Sequence, residues 1–413
     1  MSKINELIQT LCPDGVEYKK LGDVATISRG NGFQKKDFVE EGRPCIHYGQ
    51  IFMHYSKMGI TTSKTLTCID DDKYEKNAKA LPNDIVMAVT SENVEDVCKC
   101  VVWEGDEPVA VSGHTAIFHT EMNSKFLAYW LDASDFYVQK VRLAHGTKVI
   151  EVTPAAMVDI VLPVPPLPVQ EEIVRILDEY TELETELEAK LSEEIELKQK
   201  QYEVYRDELL TFGGDIERKV LSEICDVRDG THDSPKRSFE NDAKYLLTSK
   251  NVKNGTICYD GAYKISKNDY DEINKRSIVD VYDLLFTMIG TVGEVGLIID
   301  EPDYAIKNVG LIKTGGDIIL AKFLKYYLTS ECVKQYIREN RSKGSQVFLA
   351  LGKLRMLPVP VLDGAVMDEL VSMLDKYDTY TRDMISTLNT ELESRKKQYA
   401  YYRDQLLTFK RKE

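Results

Sequence analysis

Residues 177–212 read LDEYTELETELEAKLSEEIELKQKQYEVYRDELLTF, with no proline, no glycine and a heavy load of Glu, Leu and Lys. Leu177, Tyr180, Leu187, Leu191, Ile195, Tyr202, Tyr205, Leu209 and Phe212 fall at steps of three, four and their sums. That is the apolar stripe of a long amphipathic helix. At 1.5 Å of rise per residue the stretch spans roughly 54 Å. A helix that long rarely lies on one compact core, so the stripe predicts pairing with a second helix as a coiled coil.

The second helix is in the same chain. Residues 374–409, LDKYDTYTRDMISTLNTELESRKKQYAYYRDQLLTF, align with the first stretch without a gap at an offset of 197. Leu191 matches Leu388, Ile195 matches Leu392 and Tyr202 matches Tyr399. Tyr205-Arg206-Asp207 matches Tyr402-Arg403-Asp404, and Leu209 to Phe212 matches Leu406 to Phe409. The period is about half the chain, which predicts a tandem duplication rather than a solenoid. Upstream, Val16 to Leu21 faces Ile216 to Leu221, Lys125-Phe126-Leu127 faces Lys322-Phe323-Leu324, and Leu162 to Pro165 faces Leu357 to Pro360. The offset drifts between 195 and 200 over these matches, so the globular parts carry short insertions while the helices kept their length.

A chain of 413 residues holds two or three domains, each with its own core. No run approaches the length of apolar sequence a membrane span needs, and the first residues lack a secretory apolar core, so a cytoplasmic protein is expected. The eight cysteines are scattered, and the close pair Cys98 and Cys100 lacks zinc-ligand spacing; buried free thiols are expected. The net charge of -15 is uneven: residues 1–150 carry -4, 151–212 carry -11, 213–360 carry +1 and 361–413 carry -1. Nucleic-acid binders are usually basic, so bulk charge points to an acidic helix acting as a spacer or partner surface. The near-neutral globular parts still leave room for local basic faces.

In chain order, residues 1–12 predict a short helix, 46–48 a strand, 70–72 an acidic loop, and 85–89 and 109–118 strands. Residues 123–141 predict one helix, followed by the polar loop Leu143 to Lys148. Residues 161–170, VLPVPPLPVQ, predict an extended proline strap that launches helix at Gln170. The second half follows the same plan, with a strand at 245–248, a hairpin turn at Asn254-Gly255, a strand at 284–289, a helix at 321–339 and the polar loop RSKGSQ at 341–346. The fold class expected is α+β: two tandem-duplicated mixed α/β domains, each followed by a long helix, with the two helices pairing as an antiparallel coiled coil. The boundaries expected are 1–160 and 213–355 for the globular domains, with straps and long helices at 161–212 and 356–413.

This order of parts resembles the specificity subunit of type I restriction-modification systems. The signature is a globular domain, a polar Gly-[Ser/Thr]-x loop, a Leu-Pro-x-Pro strap and a long helix. It is carried by Gly146-Thr147-Lys148, Leu162 to Gln170 and the helix to Phe212, then by Gly344-Ser345-Gln346, Leu357 to Pro360 and the helix to Phe409. Pro165 to Gln170 matches the family's PPLPxQ pattern, whereas the second copy, Pro360-Val361-Leu362-Asp363-Gly364, has no Gln. The resemblance implies two target recognition domains, each reading half of a bipartite double-stranded DNA site, with the helices setting their separation. It implies two methyltransferase subunits docked on the helices, with restriction/motor subunits joining that core. S-adenosylmethionine, ATP and Mg2+ are then expected on the partner subunits, with no cofactor, metal or catalytic set on this chain and no membrane association. A spacer of ~50 Å at ~3.4 Å per base pair puts the half-site centres about one to one and a half turns apart.

The polar loops hold the DNA-contact candidates, in which Arg and Lys meet phosphates while Arg, Asn, Gln and Ser read base edges. In the first half these are Arg29, Asn31, Lys35, Lys36, His47, Tyr48, Gln50, Lys57, Arg142, His145, Thr147 and Lys148. In the second they are Arg228, Thr231, His232, Lys236, Arg237, Lys250, Asn251, Lys253, Arg341, Lys343, Ser345 and Gln346. The bland reading of each is a solvated loop residue. The repeated Tyr202, Tyr205, Tyr399 and Tyr402 sit on the helix stripe and are expected to pack. Arg206-Asp207 and Arg403-Asp404 form cross-helix or partner ion pairs, or simply a solvated face. The sequence contains no GxxxxGK[ST], HExxH or GxSxG run. The competing function is a coiled-coil adaptor that binds only proteins.

Overall fold

The computed structural model describes residues 3–56, 59–253, 255–342, 344 and 347–413. Two compact units make up the chain, one of residues 1–192 with 389–413 and one of residues 193–388. Each unit therefore owns the start of one long helix and the end of the other.

The first unit is built on two five-stranded sheets. One has the order Ala25–Arg29, Thr115–Thr120, Ile85–Ala88, Cys100–Trp103 and Thr61–Thr62. The other has the order Phe38–Val39, Thr67–Ile69, Arg43–Ile46, Val109–Val111 and Lys79–Ala80. Ile85–Ala88 and Cys100–Trp103 are buried at every position, which is why they read as continuous apolar runs rather than as alternation. The second unit repeats the plan with fewer strands. Asp226–Asp229, Val309–Lys313, Leu284–Thr287 and Val295–Leu297 form one sheet, and Tyr263–Ile265, Lys244–Leu247 and Tyr304–Ile306 form the other.

Several expectations change on folding. Asp70 opens a helix, Asp71–Lys76, rather than a loop: its side chain accepts from Lys73 N–H at 2.7 Å, as an N-cap does. The single helix expected at 123–141 is two, Ser124–Trp130 and Ser134–Leu143, and its counterpart is likewise Ile318–Leu328 and Glu331–Asn340. The proline strap is a strand followed directly by helix. Val161–Val164 pairs antiparallel with Glu17–Lys20, and Pro358–Pro360 pairs with Arg218–Val220 in the second unit. A two-stranded ribbon is all edge, so a residue without an N–H costs it little. The first long helix then runs Leu167–Leu209, starting before Gln170, with Pro168 in its first turn where no N–H is needed. The second runs Gly364–Leu407. Asn254 of the expected hairpin turn lies outside the described residues, while Val252–Lys253 and Thr256–Ile257 on either side of it pair. The cysteines are free, and five are buried, but Cys68 and Cys258 are half-buried and Cys332 is exposed.

The long helices pair antiparallel. In the first unit Thr181 Oγ1 lies 2.8 Å from Tyr399 Oη, the Tyr180 and Tyr402 rings are 6.3 Å apart, and Glu188 faces Lys396 at 3.7 Å. In the second unit Tyr377 lies against Tyr202 and Tyr205, with ring centroids 6.0 and 4.3 Å apart. Tyr202 is buried and Tyr205 and Tyr399 are half-buried, as their stripe position predicts, whereas Tyr402 stays 44% exposed beside Tyr180. The Lys-Phe-Leu repeat bonds each globular part to the base of its own helix. Tyr129 Oη–H donates to Asp178 at 2.8 Å and Lys125 Nζ lies 3.3 Å from it; Tyr326 and Lys322 meet Asp375 at 2.6 and 2.5 Å.

The Arg-Asp repeats are not a solvated face. Arg403 and Arg206 are 8% and 5% exposed. Neither Ala133 nor Ser330 caps the helix that follows it with a side chain. Asp404 does so instead, accepting from Ser134 N–H at 3.4 Å and from the Ser134 hydroxyl, while Arg403 holds Asp132. Asp207 accepts from Glu331 N–H at 3.1 Å in the same way, fixed by three bonds from Arg206 at 2.9, 3.0 and 3.1 Å. Each long helix ends by supplying the missing cap of a helix in the other repeat's globular part.

Asp404→Ala is expected to destabilise the first unit by about 1–2 kcal/mol, the usual cost of a lost N-cap, and to speed amide exchange in residues 134–143. Asp207→Ala should do the same for residues 331–340. Hydrogen exchange checks this, and unchanged protection in those two helices would refute the capping role.

Candidate nucleic-acid interface

In each unit a parallel strand pair sends two loops out at one end, because parallel strands finish on the same side. In the first unit Arg43–Ile46 runs beside Val109–Val111, with Cys45 opposite Ala110 and Ile46 opposite Val111. His47 to Gln50 follow the one strand and Ser112 to His114 the other. In the second, Lys244–Leu247 runs beside Tyr304–Ile306, followed by Thr248 to Asn251 and by Lys307-Asn308. His114 and Asn308 make the tight exits with φ of 65° and 54°, a region non-glycine residues rarely enter.

The first loop pair walls a cleft of about 570 Å³ lined by Phe33, Gln34, Lys35, Lys36, His47, Tyr48 and His114 with glycines 32 and 113. Its floor is aromatic. The His47 and Tyr48 rings are 4.5 Å apart, Tyr48 and His114 are 5.3 Å apart, and Phe38 meets His47 edge-on at 5.8 Å. Lys35 and Lys36 are exposed beside it. His47 is 5% exposed, and its Nδ1 accepts from Gly49 N–H at 3.2 Å. Burial, helped by the charges of Lys35 and His114, pushes its pKa down to about 4. At neutral pH it is therefore an uncharged ring, suited to stacking and to donating from Nε2, and not a cation.

The second cleft is larger, about 920 Å³; Thr248, Ser249, Lys250, Asn251, Lys253, Thr291 and Asn308 supply amides, hydroxyls and lysines to its lining, beside Asp260, Glu294, Tyr263 and the apolar Leu246, Val252, Ala262 and Ile289. His232 joins its wall, with Nδ1 2.7 Å from Asn308 Oδ1 and Nε2 3.0 Å from the buried Asp229. Arg237 lies over the Tyr263 ring at 5.5 Å.

The clefts bring together Lys35, Lys36, His47 and Tyr48 in one unit and Lys250, Asn251 and Lys253 in the other, with His232 and Arg237 beside the latter. Lys236 is exposed next to Arg237. Three candidate amides are instead bonded to backbone, Asn31 while remaining exposed. Asn31 accepts from Ala78 N–H at 2.5 Å, Gln50 from His47 N–H at 2.9 Å, and Asn251 from Thr248 N–H at 2.9 Å while donating to Cys258 and Asp260 carbonyls. Thr231 Oγ1 accepts from Asp233 N–H at 3.1 Å, and Arg228 is held by Asp226 at 2.7 Å and the Arg276 carbonyl at 2.9 Å.

Arg29 pairs with Glu151 at 3.0 Å, and Glu151 bridges the His145 backbone, so Arg29 and the His145, Thr147, Lys148 loop share an edge apart from the cleft lining. Gly146 permits that loop: its φ is +110°, and a Cβ there would sit 2.0 Å from the Val149 carbonyl oxygen. Arg142 is exposed near the end of Ser134–Leu143, and Arg341 is exposed just past Glu331–Asn340. Lys57, Lys343, Ser345 and Gln346 lie outside the described residues. Gln170, the strap position without a counterpart in the second copy, is 2% exposed and bonds to Asn123 N–H and the Pro165 carbonyl, so it is an internal brace rather than a docking group.

Sequence reasoning missed Phe33, Gln34 and His114. It also missed that residues 34–50 and 235–251 align gaplessly at an offset of 201, placing Lys35-Lys36-Asp37-Phe38 on Lys236-Arg237-Ser238-Phe239 and Gln50 on Asn251. That alignment was the available signal for matching loops. Among the described residues no group of three or more His, Cys, Asp or Glu is placed to hold a metal ion, and no helix is long and apolar enough to cross a membrane.

The sequence profile described as the type I restriction modification DNA specificity domain matches residues 13–197 and again 214–394. A putative type I restriction enzyme specificity subunit of Haemophilus influenzae is 30% identical over 295 residues, covering 70% of this chain and 73% of that protein. The Escherichia coli type I restriction enzyme EcoprrI specificity subunit is 26% identical over 401 residues, covering 93% of each. A chain in a solved structure described as the basis of assembly and conformational transition of the type I R-M system superposes with a TM-score of 0.70. It covers 95% of this chain and 97% of that one at 14% identity, a likeness of fold.

Burial of His47 sets a sign for pH dependence. The unfolded side chain titrates near 6.5 and the folded one near 4, so between these values the unfolded chain binds a proton that the folded chain refuses. The stability is fully present above pH 6.5 and is lost as pH falls towards 4, up to about 3 kcal/mol. His47→Asn keeps an acceptor for Gly49 N–H and should flatten this part of the curve. Urea midpoints of both proteins between pH 7 and 4 decide it; parallel curves would contradict the buried neutral imidazole.

Proposed function

The chain belongs to the type I restriction-modification DNA specificity family, and on that footing we propose that it reads a bipartite double-stranded DNA target. Each half is read at one of the two clefts. The observation that carries this is the duplication of the cleft itself: two parallel strand pairs each end in loops with exposed lysines beside stacking or hydrogen-bonding groups. That mixture suits a duplex, with cations for phosphates and rings, amides and hydroxyls for base edges. In this reading residues 1–160 and 213–355 are the recognition domains, and 161–212 and 356–413 are the strap and spacer segments.

The same subunit scaffolds a complex. Leu183, Leu197, Val204 and Tyr380 on the long helices are 64%, 51%, 58% and 60% exposed. Apolar side chains left in water along a helix pair suit docking of partner subunits, which we take to be two methyltransferase subunits and the restriction/motor subunits. The partners hold S-adenosylmethionine, ATP and Mg2+ and supply the chemistry, in the cytoplasm where the chromosome is. The acidic first long helix suits basic partner surfaces better than a phosphate backbone. A protein-only adaptor would use the helices equally well, but it gives the clefts no work.

Reconstitution with the methyltransferase subunit, followed by methylation mapping on genomic DNA, tests this. A split motif is expected, and exchanging residues 1–150 for those of another specificity subunit should change one half alone. A continuous motif, or no motif from an active complex, would overturn the bipartite reading. Lys35→Gln with Lys36→Gln should weaken binding evenly across sequences and lower the slope of log K against log salt by about 1–2, roughly one unit for each phosphate no longer neutralised. A change confined to the cognate sequence would assign these lysines to bases instead.

A further inference from the structure

We propose that Phe239 is a specificity-determining wedge that lays its ring against a base step in the second half of the DNA target. The inference rests on the DNA-reading function above and names a residue within it. Phe239 is 94% exposed, well above exposed rings such as Tyr380 and Tyr401 on the second long helix. The internal duplication explains why. Its counterpart Phe38 packs against two rings, Phe33 at 6.3 Å and His47 at 5.8 Å. At the offset of 201 those two positions are Ser234 and Thr248. The second copy kept the phenylalanine and lost both of its ring partners.

The ring is not on a loose end. Ser238 N–H donates to the Lys264 carbonyl at 2.9 Å, Glu240 N–H donates to Ser238 Oγ at 3.3 Å, and Ala243 N–H donates to the Glu240 carbonyl at 3.2 Å. Phe239 is therefore presented from a turn tied down on both sides. The acidic group nearest in sequence is engaged within that turn, since Ser238 Oγ–H donates to the Glu240 carboxylate at 3.2 Å. On the other side of the ring stand Lys236 and Arg237. Arg237 lies over Tyr263, which lines the cleft, and Ser238 is bonded to the neighbouring Lys264, so the turn that carries Phe239 is anchored on the strand that borders the cleft.

The chemistry selects the occupant. A flat apolar side chain in water gains by covering its faces, and two adjacent cations call for anions on either side of what covers it. Stacked bases flanked by phosphates offer both at this spacing, as apolar wedges beside Arg and Lys exploit elsewhere. In the first unit the equivalent ring is spent on His47, so the wedge belongs to one half of the target only.

Photo-crosslinking in cells tests this on the full complex, with genomic DNA as the probe. Phe239→p-benzoylphenylalanine should give a covalent adduct of this chain with DNA on irradiation, and Lys250→p-benzoylphenylalanine in the cleft serves as the companion position. Adducts at 250 but not 239 overturn the wedge and leave the DNA-reading function standing. Adducts at neither position overturn both, and an adduct of residue 239 with a protein overturns the wedge by assigning the ring to a partner subunit. On a duplex bearing the mapped target, F239A should bind about tenfold more weakly, the worth of one stacked base, while F239W should retain affinity. A 2-aminopurine scan of the second half should show one step whose fluorescence rises with the unaltered complex and not with F239A. Equal affinity and equal fluorescence for F239A would overturn the proposal.

Discussion

The fold depends on two buried arginines and the aspartates beside them. A guanidinium removed from water must be fully paired, and leaving it unpaired costs several kcal/mol. Arg403 meets this with Asp132 and Asp404, and Arg206 meets it with Asp207 and by lying 5.8 Å over the Tyr202 ring. The same aspartates complete helices that have no side-chain cap of their own. A long helix can end in this way only where a globular part of the other repeat receives it. The cap is what crosses between the repeats: Asp404 reaches Ser134 and Asp207 reaches Glu331, so within each unit the end of one repeat's long helix completes a helix of the other repeat. In the first unit the residues after the second helix add to the closure: Val16 N–H donates to the Lys410 carbonyl and Lys412 N–H to the Val16 carbonyl, at 2.8 and 2.9 Å. Gly15, with φ +108°, lets that strand pass, since a Cβ there would sit 2.7 Å from the Lys410 oxygen.

The helices were legible because periodicity survives without knowledge of context: Leu177 and Leu191 are buried where the stripe put them. What sequence could not show is where a charged pair is taken out of water. Arg206 and Arg403 occupy helix positions that in isolation read as solvent face, and their burial comes entirely from a tertiary partner. The start at Leu167 was hidden for a related reason. Prolines argue against helix interiors but not against first turns, and the boundary depends on which N–H groups are already without partners. Asp70 shows the local form of the same ambiguity, since an acidic cluster reads as a loop until one carboxylate is seen to cap the next turn.

In the candidate interface, charge was legible and amides were not. Lys35, Lys36, Lys250 and Lys253 have little reason to turn inward, and they remain at the clefts. Asn31, Gln50 and Asn251 carry the groups that read bases, but the same groups bond readily to nearby backbone and so build the turns that hold a site in shape. Gln50 and Asn251 sit at matching positions and do matching work, each accepting from the N–H three residues before it. Comparing the two halves residue by residue separates scaffold amides from reading groups better than residue type does.

That comparison also orders the parts by how freely they change. The bonds tying each globular part to its helix are the same in both units, with a Lys and a Tyr on one Asp at Lys125, Tyr129 and Asp178 and at Lys322, Tyr326 and Asp375. The clefts share strands, exits and turn amides but not their linings: His47, Tyr48 and His114 face Thr248, Ser249 and Asn308. The scaffold tie centres on a buried tyrosine in each unit, Tyr129 and Tyr326, whose hydroxyl donates to a half-buried Asp, and exchange there costs packing as well as a hydrogen bond. The lining is carried on loops fixed by the left-handed exits and by the Gln50 and Asn251 amides, so the side chains that take no part in that bracing are free to differ. Two copies of one frame can therefore present different chemistry at their two clefts without any change in how either unit is held together.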